Sequence, residues 1–114
     1  MTDLICLGEP LVEFNSQPEG SYQMGFGGDV SNVAIAAARQ GTDTAMITRV
    51  GADRFGQNLM DLWHRENVET AHVRSIEGQD TGLYFVHHDA EGHHFTYRRN
   101  GSACSRMTVA DLPA

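Results

Sequence analysis

The residues best equipped for chemistry stand behind a cluster of glycines in GFGGDVSNVAIAAARQG, Gly25 to Gly41. Gly27 and Gly28 let a ligand approach the backbone closely. Asp29 accepts hydrogen bonds from hydroxyl groups, and Asn32 both donates and accepts them. Three residues apart, they share the first turn of a helix. This is equipment for a polyhydroxy ligand such as a sugar. The same residues also read as a bare turn followed by an N-cap, and the spacing leaves both readings open. A phosphate loop is excluded. The dinucleotide pattern Gly-x-Gly-x-x-Gly fails at Val30, and a triphosphate loop needs a lysine, which the chain lacks.

TGLYFVHHDAEGHHFTYRRNGS holds two strand-like runs about a turn, the second ending in Arg98 and Arg99. An arginine fork suits a carboxylate ligand. Arg98 lies between Tyr97 and Arg99 and is expected on the opposite side of the strand, and a solvated hairpin edge is the plain alternative for both arginines. His87, His88, His93 and His94 flank the turn Asp89–Gly92. Adjacent strand residues point to opposite faces, so at most two of these histidines share a side, with Asp89 or Glu91 as additions. The expectation is a polar hairpin tip with no metal. Glu9 and Glu13 sit near the end of the first strand; Glu9 reads as loop support or an ion-pair partner, and Glu13 as a sugar-site candidate.

The elements that position these groups follow from periodicity. Leu4 to Leu7 reads as a buried strand, with Leu11 to Phe14 as its extension after Pro10. Asn15 to Gly20 is a turn, and Ser21 to Phe26 a short strand. A helix capped by Gly28 or Asp29 runs to about Gln40, with Val30, Val33, Ala34 and Ala37 at helical spacing. Its small residues let it lie close to a sheet. Thr44 to Val50 is the next strand; Asp53 caps a helix, Arg54 to Asn67; Val68 to Ser75 is a third core strand. Thr81 to His88 and His93 to Arg99 form a hairpin. Thr108 caps a last turn at Val109 to Leu112. Strands alternating with amphipathic helices favour right-handed crossovers and a parallel sheet, an α/β fold.

The totals narrow the function classes. With 114 residues the chain has the size of one small domain, and 40% apolar residues suit a globular one. A net charge of -7 disfavours nucleic acid and anionic membranes as partners. All 8 basic residues are arginines, so no Schiff-base lysine is present. Cys6 and Cys104 are far apart and form no Cys-x-x-Cys motif; two reduced thiols fit the cytoplasm best. The first residues do not resemble a signal peptide. A parallel sheet of about three strands leaves an edge and a face uncovered, so the chain is expected to be part of a longer α/β protein.

GGDVSNVAIAAARQG resembles the N-terminal signature of the ribokinase-like (PfkB) carbohydrate kinases. LICLGEPLVEF resembles that family's first strand, and ITRVGADRFGQNL its third-strand segment. The three occur in family order across nearly the whole chain. GEPLVEF, TGLYF and FTYRRNGSACSRM are further similar to 2-keto-3-deoxygluconate kinases. The resemblance implies a partial ribokinase-like fold: a parallel sheet with flanking helices plus a small β lid. Residues 1–114 would be the N-terminal portion of one such domain, with lid segments at about 15–27 and 80–100 and the C-terminal ATP-binding half absent. It implies that Gly28, Asp29 and Asn32 line the sugar site, with Tyr84, Tyr97 and Arg99 reaching over from the lid and Glu13 as a further contact. The family's Gly-Ala-Gly-Asp loop, whose Asp is the general base, does not occur; Gly51–Asp53 is no substitute, because Asp53 reads as a helix cap. The complete enzyme would use ATP and Mg²⁺ to phosphorylate a sugar acid; this chain alone is expected to hold neither cofactor and no catalytic residue. The lid of such kinases often forms dimer contacts. Two alternatives stand beside this: a non-catalytic sugar-binding or dimerising module, and a kinase for a neutral sugar such as fructose or ribose.

Overall fold

The computed structural model describes residues 2–113. In chain order the elements are β1 (Leu4–Leu7), β2 (Leu11–Ser16), β3 (Tyr22–Gly27), α1 (Asp29–Arg39), β4 (Thr44–Gly51), α2 (Arg54–Arg65), β5 (Val68–Ile76), β6 (Leu83–Asp89) and β7 (Gly92–Arg98). Two 3-10 turns follow, Cys104–Arg106 and Val109–Asp111. The strands divide into a parallel sheet ordered β1-β4-β5 and a second sheet ordered β3-β2-β6-β7.

The parallel sheet is built as its sequence pattern requires. β4 reads Thr-Ala-Met-Ile-Thr-Arg-Val-Gly, is buried over most of its length, and lies between β1 and β5. The β1-to-β4 and β4-to-β5 connections carry α1 and α2, which right-handed crossovers place on one face. There Cys6, Met46, Val50, Leu59, Trp63 and Val68 form the core. Trp63 is fully buried, and its indole N–H donates to Ser31 Oγ at 2.9 Å, which ties α2 to α1. Ala34 is also fully buried. Its small side chain brings α1 near enough for Thr44 Oγ1 to reach the Ala34 carbonyl at 3.4 Å. The other face of β1 leaves Ile5 and Leu7 about half exposed, at 53% and 51%.

The structure corrects several sequence expectations. Leu11 to Phe14 does not extend the first strand. Gly8, Glu9 and Pro10 break it, and β2 enters the second sheet, pairing antiparallel with β3 and parallel with β6. The lid is therefore a four-stranded sheet that begins at Leu11, not at residue 15, and the expected hairpin is one half of it. Val33 follows helical spacing but is 53% exposed, because α1 turns its Val30, Ser31, Ala34 and Ile35 side inward. α2 stops at Arg65, short of Asn67, which takes φ 60° after the helix. The last turn is a 3-10 turn closed by a Thr108–Asp111 capping box.

Asp111 also anchors the end of the chain. Its Oδ1 accepts from Arg49 Nε at 2.8 Å and Arg74 NH1 at 3.0 Å, and Oδ2 accepts from the Thr108 N–H at 2.8 Å. Only 1% of its side chain is exposed. The hydrogen bond from Arg49, then the one from the Thr108 backbone, hold its carboxyl well below the usual range.

Candidate functional site

At the carboxyl end of β1, a pocket of about 430 Å³ opens between the parallel sheet and the lid. Gly28, Asp29 and Asn32 line it from the start of α1, and Tyr84, Tyr97 and Arg99 from the lid. The carboxyl ends of parallel strands are where open α/β sheets bind ligands. A hollow of about 500 Å³ near Thr44, Asn67 and Thr70 is larger but shallower, and it sits at the opposite, amino ends of the strands.

The local sequence explains how each group reaches the pocket. Gly28 is the N-cap of α1 at φ 93°, ψ 119°, and no side chain caps the helix. A Cβ there would lie 2.5 Å from the Glu9 carbonyl oxygen. The glycine is thus required by backbone conformation and by contact with the Glu9–Pro10 turn, as well as by access to the pocket. Asp29 is not a cap. Its side chain is exposed in the first turn, beside the pocket.

The lid side groups follow strand alternation. Across β6 and β7, Tyr84 faces Tyr97, and their rings stack at 5.8 Å. Two residues further on, Arg99 carries its guanidinium over the Tyr97 ring, 4.9 Å from the centroid. Arg98 pairs with Leu83 in register and so lies on the other face, as alternation predicted. Glu13 does not line the pocket. It lies behind Tyr84, whose hydroxyl donates to Glu13 Oε1 at 2.7 Å. Burial first, and then that hydrogen bond, push the Tyr84 phenol up.

Glu9 is the loop support and ion-pair partner expected of it; what sequence reasoning missed is that Ser102 is its hydrogen-bond partner. Glu9 Oε2 accepts from Ser102 Oγ at 2.5 Å, and Glu9 Oε1 stands 3.8 Å from Arg99 NH1. Ser102 is buried, and its N–H donates to the Arg99 carbonyl at 3.1 Å, closing a turn through Gly101 at φ 72°. Glu9 therefore holds both ends of the turn that presents Arg99. Phe95, also at the pocket, was legible: it shares the alternation of Tyr97 and Arg99.

Asp53 caps α2 as expected, accepting from the Gly56 N–H at 2.8 Å. It also accepts from Thr81 N at 3.2 Å and Thr81 Oγ1 at 2.9 Å, so it joins the helix to the start of the lid hairpin. The histidines divide by face. His88 and His93 meet on one side, Nδ1 to Nδ1 at 2.7 Å; on the other, His94 Nε2 stands 2.8 Å from Asp89 Oδ2 with Glu91 nearby. All of these except His87 are exposed at the hairpin tip.

Solved proteins, a fructokinase among them, share this fold over nearly the whole chain. The structure superposes on a PfkB protein from Polaromonas sp. JS666 with a TM-score of 0.93 and 30% identity, covering 99% of this chain and 40% of that one. A fructokinase from Xylella fastidiosa with bound ATP gives 0.92 at 26% identity, over 99% of this chain and 38% of that one. By sequence the chain is 35% identical to a 2-dehydro-3-deoxygluconokinase of Thermoproteus tenax over 121 aligned positions, gaps included, which cover 98% of this chain and 37% of the relative. The chain thus spans well under half the length of the proteins it matches. The model of the pfkB family carbohydrate kinases matches residues 1–112. On fold, lid and sequence together, the chain belongs to the pfkB family of carbohydrate kinases.

Proposed function

We propose that this chain carries the acceptor-sugar site of a sugar kinase, and that the sugar is an acid such as 2-keto-3-deoxygluconate. The observation that carries the reading is Arg99, held over Tyr97 at the pocket that Asp29 and Asn32 also line. Asp29 and Asn32 engage ligand hydroxyls, Gly28 leaves room beside the backbone, and the Arg99 fork takes a carboxylate. The name of the Thermoproteus relative supports the same substrate.

The complete enzyme would transfer the γ-phosphoryl group of ATP, with Mg²⁺, to a hydroxyl of the sugar. These residues do not suit ATP. Glu9 and Asp29 make this side of the pocket acidic, and the chain has no lysine for a triphosphate. No Gly-Ala-Gly-Asp general base lies within the 114 residues. The purified chain therefore binds sugar without phosphorylating it; ATP-dependent phosphorylation of 2-keto-3-deoxygluconate by it would overturn this. Two free cysteines favour a cytoplasmic setting.

A neutral sugar is the second reading, favoured by one feature: Glu9 lies 3.8 Å from Arg99 and already offsets part of its charge. The two separate on Arg99→Ala, measured by calorimetric binding of 2-keto-3-deoxygluconate and of fructose. A sugar-acid site loses the acid by about tenfold or more, as expected for a charge-assisted hydrogen bond of about 1.5–3 kcal/mol, and leaves fructose little changed. Equal losses refute the assignment. A role in association has its own basis in Phe95 and Tyr97, about half exposed on the lid; a homodimer through the lid would bury them.

A further inference from the structure

One row of residues crosses the whole lid in register: Gly25 on β3, Glu13 on β2, Tyr84 on β6 and Tyr97 on β7. The row begins with a carboxylate in a glycine niche. A Cβ on Gly25 would lie 3.2 Å from Glu13 Oε2, and one on Gly27 would strike the Tyr84 hydroxyl and ring. β3 is bare at both positions, and the Glu13–Tyr84 pair fills the space. From there the row runs by ring stacking to Tyr97 and by the cation–π contact to Arg99.

A phenol has one proton to donate. In Tyr84 it is on the 2.7 Å bond to Glu13, so the oxygen offers the pocket only acceptor capacity. Asp29 adds a second acceptor and Glu9 a third, while Arg99 and Asn32 supply the donors. We propose that Glu13 is a positioning residue that orients Tyr84 as a hydrogen-bond acceptor, so that a ligand hydroxyl docks at Tyr84 and an anionic group is left to Arg99. The part of this that concerns a ligand rests on the sugar-site reading above; the Glu13–Tyr84 relation does not.

The test uses the 114-residue chain with ¹³C-labelled tyrosine, whose 3 tyrosines are assigned by Tyr→Phe variants. In the wild type the Tyr84 ring stays protonated at about pH 11, past the usual tyrosine value of about 10. Glu13→Gln, close in shape, brings its ionisation down while burial keeps it above the free value; Glu13→Asp, too short for the same bond, does so in part. A Tyr84 that titrates in the usual range, or that ignores both variants, overturns the proposal. Calorimetry with 2-keto-3-deoxygluconate adds a readout that a merely structural role would not move. Glu13→Gln weakens binding about tenfold in the wild type and has no further effect in Tyr84→Phe. Full additivity of the two losses makes Glu13 a direct ligand and refutes positioning. If the wild-type chain fails to bind the sugar acid while Tyr84 titrates as stated, the sugar-acid reading falls and the Glu13–Tyr84 assignment stands.

Discussion

Alanine at Gly28 and alanine at Gly27 should fail for different reasons. Gly28 has φ 93°, and an added Cβ would lie 2.5 Å from the Glu9 carbonyl oxygen and 3.1 Å from Pro10 Cα. Both obstacles are backbone, in the turn that carries the chain from the parallel sheet into the lid. The positive φ costs alanine about 1–3 kcal/mol. Crowding against backbone that cannot rotate away costs about 1–3 kcal/mol more. Gly28→Ala should therefore lose roughly 2–6 kcal/mol, a large share of the stability of a small domain. Gly27 is free of the positive-φ constraint, and its obstacle is the Tyr84 side chain. Gly27→Ala should cost only about 1–3 kcal/mol, by displacing that ring. The assay is denaturant unfolding of both variants, with Tyr84→Ala and the Gly27→Ala/Tyr84→Ala pair completing a cycle. Once the ring is gone, the three nearest obstacles to a Cβ at position 27 go with it, so a coupling of about 1 kcal/mol or more is expected. A loss below about 1 kcal/mol for Gly28→Ala would refute the backbone argument. Additivity within about 0.5 kcal/mol would refute the niche.

Three further outcomes follow from single substitutions. Ser31→Ala leaves the indole N–H of fully buried Trp63 without its 2.9 Å partner, so chemical unfolding should show a loss of about 1–3 kcal/mol. Asp53→Ala removes a helix cap and two bonds to Thr81; the cap alone is worth about 0.5–2 kcal/mol, and hydrogen exchange should rise at Gly56 and Thr81 together. Asp111 has a folded value below its unfolded one, so its stabilisation is complete above about pH 4 and is lost as the pH falls through the folded value. The stability gap between wild type and Asp111→Asn should accordingly be flat from about pH 5 to 8 and shrink below about pH 4; a gap that widens on acidification would contradict this.

Local pattern carried the parallel sheet, because each of its signals is short-range. The capping Asp53, the Ala-rich α1 and the apolar β4 each declare an element within a few residues. Alternation likewise set Arg98 apart from Tyr97 and Arg99, while the family resemblance brought Tyr84 to their side. β2 was misplaced because its pairing cannot be read from its own residues. Leu11 to Phe14 has the composition of a continuing strand, and pairing with β3 across a turn and with β6, some 70 residues on, makes it part of the lid. Pro10 was a local clue to the break, since it cannot donate to a ladder. Glu9 and Glu13 were ambiguous for the same reason: their roles are set by Ser102 and Tyr84, which only the fold brings near.

The glycines between β3 and α1 show how one short motif can meet several demands at once. Read alone, they suggest a floor for a ligand. In the structure Gly25 and Gly27 make room for Glu13 and Tyr84, and Gly28 takes a conformation and a contact that no other residue tolerates. All three requirements come from β2, β6 and the Glu9–Pro10 turn, so the glycines fit the lid to the helix before any sugar arrives. Asp29 and Asn32, exposed at the pocket, carry neither the cap nor core packing. Substitutions in this motif should therefore disturb the lid through the glycines and binding alone through Asp29 and Asn32. The unfolding cycle at Gly27 and Tyr84, and calorimetry of 2-keto-3-deoxygluconate with Asp29→Ala, expected to bind more weakly with its unfolding unchanged, are thus independent measurements on neighbouring residues.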